Sequence, residues 1–213
     1  MLRKLRSRLV QDQDGFTIFE VTIVSAILLV VVGACVGTML SLTRTEQRTN
    51  ALVSNEQDAR FVLTDLARDI RAANPMQPLP GNPAVGAYRS QLQLASGPTG
   101  SQTIVRWVYD TAAGSPTQRS LLRQTINPLD GTVLTSTPRL GNIRNAERGV
   151  HMFGFTSQSG VDLVDAGLTA NVATCAIKVS IVITADSNPG PEPFTVHSDV
   201  HLRNRTPGAV ACG

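Results

Sequence analysis

From Phe16 to Leu42 the sequence is almost uninterrupted hydrocarbon, and Glu20 and Cys35 carry its only ionisable side chains. Val21 to Leu42 contains no formal charge at all. At 1.5 Å per residue, those positions make about 33 Å of helix, enough to cross a hydrocarbon core about 30 Å thick. A soluble core helix is rarely this long and this apolar at the start of a chain. The run also exceeds the roughly 7–15 apolar residues of an ordinary signal peptide. Arg3, Lys4, Arg6 and Arg8 stand before it, so the positive-inside rule predicts a cytoplasmic N-terminus and an exported remainder.

The basic cluster also changes the meaning of the net charge. The whole chain carries a formal +3 with a pI of about 9.1, values that invite a nucleic-acid partner. Residues 1–15 hold four of the 19 basic and two of the 16 acidic residues, which leaves the rest nearly neutral. The basicity is therefore a topology signal, and no direct nucleic-acid contact is expected.

Past Leu42 the pattern turns amphipathic without a break. Leu52, Ala59, Val62, Leu63, Leu66, Ile70 and Ala73 recur at helical steps along one stripe. Glu56 with Arg60, and Asp65 with Arg68, are spaced for pairing on the polar side. Asn74-Pro75 ends the pattern, because the residue before proline is pushed out of the helical region. A helix over about 16–74 would be about 90 Å long, more than a domain of this size can bury.

After Pro75 the chain reads as strands and turns. Pro75, Pro78, Pro80, Gly81, Pro83 and Gly86 form an irregular linker. Strands are expected at Tyr88–Leu94, Thr103–Asp110, Leu121–Ile126, His151–Thr156, Val172–Ala185 and Phe194–Leu202. Ile177, Val179, Ile181 and Ile183 should share one face, and Thr195–Leu202 also alternates. The expected architecture is α+β: a long N-terminal helix, spanning a membrane in its first half, packed against an antiparallel β-rich head whose one sheet covers the apolar stripe of residues 52–73. Its divisions are a leader (1–15), an apolar helix (16–42), an amphipathic continuation (43–74) and an exported head (75–213).

Gly15-Phe16-Thr17-Ile18-Phe19-Glu20 lies where the basic leader meets the apolar helix. This resembles the processing site of the type IV prepilins: a short basic leader, a glycine, phenylalanine after it, a glutamate five positions on, then a long apolar helix. The resemblance implies that prepilin peptidase cuts between Gly15 and Phe16, that residues 1–15 are lost, and that the Phe16 amine is N-methylated. Glycine before the cut lets an extended backbone enter a membrane protease without a side-chain clash. A carboxylate at the bilayer edge is expensive without a partner. In the family that carboxylate, here Glu20, is thought to neutralise the new amine of a neighbouring subunit and set its axial register. The plainer alternative is a glutamate that only reaches out to the headgroups.

Phe61 to Arg71, with Thr103–Tyr109 and Ser120-Leu121-Leu122-Arg123, resembles the J-type minor pseudopilins and W-type minor pilins. The likeness is sharp over about the first 55 residues and loose beyond them. It implies a low-abundance, non-enzymatic subunit near a filament tip that helps to prime assembly. Its partners would be prepilin peptidase, other major and minor pilins or pseudopilins, the inner-membrane assembly platform and, before assembly, membrane lipid. It would be a single-pass inner-membrane protein before it enters a filament. Many major pilins carry a helix-loosening proline near the position of Gly37, and this sequence has none.

Val32-Gly33-Ala34-Cys35 loosely resembles a lipobox, which would make the chain a lipoprotein; a further alternative is a membrane-anchored extracytoplasmic binding module or enzyme that uses the helix only as a tether. Against the lipobox, the apolar run continues past Cys35 and contains Glu20. Gly33 and Gly37 form a GxxxG spacing that permits close helix packing. Cys175 and Cys212 both lie in the exported part, where a disulfide between them would tether the C-terminus to a strand. Two free thiols is the alternative. His197, Asp199 and His201 share one face of a strand, and Asp186-Ser187-Asn188 faintly resembles a calcium turn, but neither has a full ligand set. No Gly-rich phosphate loop, GxSxG elbow or HExxH occurs, so no catalysis, metal or cofactor is expected.

Overall fold

The computed structural model describes residues 17–73, 85–96, 102–169, 172–186 and 193–202. The chain forms two units, Met1–Thr49 and Asn50–Gly213. Helix α1, Ile18–Ala72, is 55 residues long and contributes to both. It contains no proline, and its two glycines lie in the apolar stretch, so nothing in its backbone forces a break.

Among the described residues of the first unit there is only this helix. Ile18, Leu29 and Val30 are all exposed, as are the other apolar side chains down to Leu42. Helix α1 is long and apolar enough in this stretch to span a membrane. The threonine hydroxyls there are satisfied by the helix itself: Thr22 donates to the Ile18 carbonyl and Thr38 to the Cys35 carbonyl, both at 2.8 Å.

In the second unit the same helix becomes a core element. Ala59, Val62, Leu63, Leu66, Ala67, Ile70 and Ala73 are buried, close to the stripe expected from the sequence. Ala67 joins it and Leu52 is only half-buried. The anticipated pairs form on the polar side, Glu56 with Arg60 at 2.6 Å and Asp65 with Arg68 at 3.2 Å.

Among its described residues, the head has seven strands in two antiparallel sheets. β1 (Gln91–Ser96), β2 (Thr103–Tyr109), β3 (Leu121–Ile126) and β4 (Val133–Leu140) form the first, in sequence order. β5 (Phe153–Thr156), β6 (Lys178–Asp186) and β7 (Pro193–His201) form the second. Both contribute to one hydrophobic core with α1, through Trp107 and Leu121 on one side and Phe153, Phe155, Val179 and Ile181 on the other. Tyr88 meets Phe155 edge to face, with ring centroids 6.1 Å apart.

Four details depart from the sequence expectation. Val85–Ser90 is a short helix, α2, so the first strand begins at Gln91 rather than at Tyr88. Val172–Cys175 is helix α3, and only Lys178 onward is strand; Cys175 is therefore not on a strand. Val133–Leu140 is a strand that lacks any buried face, which leaves no alternation to read. The β region is also two sheets rather than one.

A buried asparagine joins the loop before β5 to the second sheet. β5 pairs with β6 only as far as Ile181. Beyond it, Asn145 donates to the Val182 carbonyl and accepts from the Thr184 amide, each at 2.7 Å. The Arg144 amide donates to the Thr184 carbonyl at 2.7 Å and the Asp186 amide to the Asn142 carbonyl at 3.1 Å. The loop thereby stands in for the missing strand and satisfies the exposed edge of β6.

Candidate functional site

The sequence places its strongest functional signal at the start of α1. Gly15 and Phe16 lie outside the described residues. Thr17 caps the helix: the Glu20 amide donates to the Thr17 carbonyl at 3.0 Å and to its Oγ1 at 3.3 Å. Thr17-Ile18-Phe19-Glu20 thus has the T-x-x-E pattern of a capping box, with threonine at the cap and glutamate three residues on. Glutamate in a first helical turn also complements the positive end of the helix dipole.

The Glu20 side chain is exposed and meets no cation among the described residues. It is the only acidic residue in α1 before Glu46. Such a carboxylate gains from any cation presented at its level by another chain. Gly33 and Gly37 have no atom within 4 Å of where a Cβ would stand, so this side of the helix is open to a neighbour. Cys35 is exposed and free.

In the head, ionic contacts hold α1 to the first sheet. Asp69 accepts from Trp107 Nε1 at 3.1 Å and from Arg123 Nε at 2.9 Å. One turn earlier, Asp65 pairs with Arg139 of β4. Near β5, the almost fully buried Arg89 is forked to Asp162, with bonds of 3.2 and 3.1 Å, and also pairs with Asp165. Burial opposes ionisation of Asp162, yet the Asp165 amide and the Arg89 guanidinium outweigh it and hold the carboxyl below its ordinary range. These are positioning contacts between complementary partners.

On the second sheet, Asp199 accepts from Lys178 Nζ at 3.2 Å, and His197 Nε2 lies 3.1 Å from its other oxygen. Hydrogen bonding from Ser180 and then Lys178 keeps Asp199 below its ordinary range. His201 sits opposite Lys178 in the β6–β7 register, beside a cation rather than a third ligand. Among the described residues, no three histidine, cysteine or carboxylate side chains are grouped to hold a metal. The Asp186 carboxylate is taken by Arg144, while Ser187 and Asn188 lie outside the described residues. Cys175 is buried at the end of α3, and Cys212 lies outside the described residues.

Sequence reasoning missed the Asp69–Trp107–Arg123 junction and the Arg89 cluster. Both join residues dozens of positions apart, and only the pairing of strands brings them together.

Compared with protein-family models, curated proteins and solved structures, the chain matches none of them. What the fold defines is an α+β protein with a long apolar N-terminal helix and an antiparallel β head, an arrangement compatible with a pilin-like fold.

Proposed function

We propose that the chain is a minor subunit of a type IV pilus-like filament or a type II secretion pseudopilus, acting structurally to prime assembly or sitting near the tip. One observation carries this reading. A single helix has an exposed apolar first part with one carboxylate in its first turn, and a second part that is a core element of the head. A simple tether has no need of such continuity, whereas a subunit extracted from a membrane into a helical bundle gains from it.

In this reading prepilin peptidase removes residues 1–15, and the amine of Phe16 is methylated. The N-terminus starts in the cytoplasm and the head is exported. Glu20 offers its carboxylate to the Phe16 amine of a neighbouring subunit, which fixes the axial position of the incoming chain. The contact replaces an isolated charge in hydrocarbon with a pair, and an unpaired carboxylate there costs several kcal/mol.

The test is Glu20→Ala, expressed with the assembly machinery. Cleavage should continue, while recovery of the chain in sheared filaments should fall at least tenfold. Normal incorporation would remove the pairing role. The second reading, a membrane-anchored extracytoplasmic binding module or lipoprotein, is favoured only by Cys35 and its flanking Gly33-Ala34. As a lipoprotein it requires acylation of Cys35; as a binding module it uses the helix only as a tether and residues 75–213 suffice; neither form needs Glu20.

A further inference from the structure

Two arginines stand just past the apolar part of α1. Arg44 and Arg48 are exposed and four residues apart, hence on one face of the helix. Neither forms an ion pair or a side-chain hydrogen bond among the described residues. Glu46, the nearest carboxylate, lies two residues from each, a step at which side chains of one helix do not face each other. One side of this turn is therefore cationic and uncompensated. It continues directly from a stretch whose apolar side chains are exposed as far as Leu42.

The level of the two arginines decides what meets them. Counted from Leu42, Arg44 lies about 3 Å and Arg48 about 9 Å further along the helix axis. The headgroup layer of a bilayer is about 5–7 Å deep on each side of its hydrocarbon core. With Val21 to Leu42 filling that core, the two positions bracket the layer that holds the lipid phosphates. Arginine's planar fork suits a phosphate, and its long stem lets the guanidinium reach that layer while the chain lies above or below it. We infer that the Arg44/Arg48 face binds the headgroup phosphate of an anionic phospholipid, in the leaflet on the head side of the membrane. The inference rests on the membrane-spanning part of the filament-subunit reading and deepens it. It names the lipid class that holds the helix at its depth once the basic leader is gone.

The test uses the full chain in phosphatidylcholine vesicles that contain traces of photo-crosslinking lipid. Two such lipids have identical acyl chains with a diazirine near the glycerol, and differ only in a phosphatidylglycerol or a phosphatidylcholine headgroup. Crosslinks within residues 37–50 should favour phosphatidylglycerol by at least about fivefold, the gain that one cation near an anionic headgroup brings. Arg44→Gln combined with Arg48→Gln should remove that preference, whereas Arg44→Lys combined with Arg48→Lys should retain most of it. A native chain that shows no headgroup preference, or a preference that survives the double glutamine variant, would overturn the inference. Phosphatidylcholine with its diazirine at the chain end reads the span separately, through crosslinks within residues 21–42. Those crosslinks without a headgroup preference sink the lipid site alone; their absence sinks the spanning helix with it. The N-terminal mass at Phe16 tests the filament reading independently.

Discussion

Trp107 Nε1 donates to Asp69 Oδ2 across 3.1 Å, and that same oxygen accepts from Arg123 Nε at 2.9 Å. One carboxylate of α1 therefore satisfies a fully buried indole of β2 and a guanidinium of β3 together. Because Asp69 is mostly buried, its charge and both donors depend on one another.

Asp69→Ala should destabilise the head by about 2–4 kcal/mol, since it strands a buried N–H and a partly buried cation. Asp69→Asn keeps an acceptor and should cost less than the alanine variant. Trp107 is the only tryptophan, so its fluorescence during urea unfolding of the detergent-solubilised chain reads the junction directly. Equal midpoints for all three proteins would show that the junction contributes nothing.

Leu66 is fully buried in the stripe that joins α1 to the head. Leu66→Ala should cost about 2–5 kcal/mol through lost burial and the cavity left behind. Phe61→Ala, five residues earlier on the exposed side, should change stability by less than about 1 kcal/mol. Thermal melts of the two variants check the contrast.

The stripe, its approximate ends and its ion pairs were legible in the sequence because a helix writes its buried face at a fixed spacing. Leu121–Ile126 was legible for a similar reason, since turn residues bound a short β-favouring run. β4 was not legible: Val133–Leu140 has no buried face, and Pro138 argues against a central strand. Its edge position removes that objection. Tyr88 and Arg89 read as the start of a β-favouring run after the linker, yet they lie in α2, which packs beside β5 and β1. The partners of Asp69 and Arg89 depended on strand order, which no local pattern encodes. At the other end of α1, Glu20 was legible as an anomaly: one charge at the edge of a hydrocarbon run.

Acid should loosen the head. Asp110, held by the Ser115 and Thr117 hydroxyls, titrates below its ordinary range, as does Asp162. A carboxyl depressed in the folded state binds protons more readily when unfolded. Its contribution is complete above the unfolded pKa of about 4 and is lost as pH falls through the folded value. Urea midpoints should thus be level from pH 7 to 5 and decline below about 4. Asp162→Asn should make that decline shallower; an unchanged slope would mean that Arg89 does not hold the carboxylate in solution.

Cys175 and Cys212 should be found joined in peptides from the non-reduced protein. Closing that loop contributes about 4 kcal/mol in the chain-entropy model, so reduction should lower the unfolding midpoint measurably. Free thiols at both positions in protein purified without reductant would contradict this.

The N-terminal mass of the membrane-purified chain tests the central claim most directly. Intact mass and N-terminal peptide spectra from cells with active prepilin peptidase should show a chain that starts at N-methylated Phe16 and lacks residues 1–15. A chain that still begins at Met1 in those cells, or one that begins at an acylated Cys35, would contradict the account.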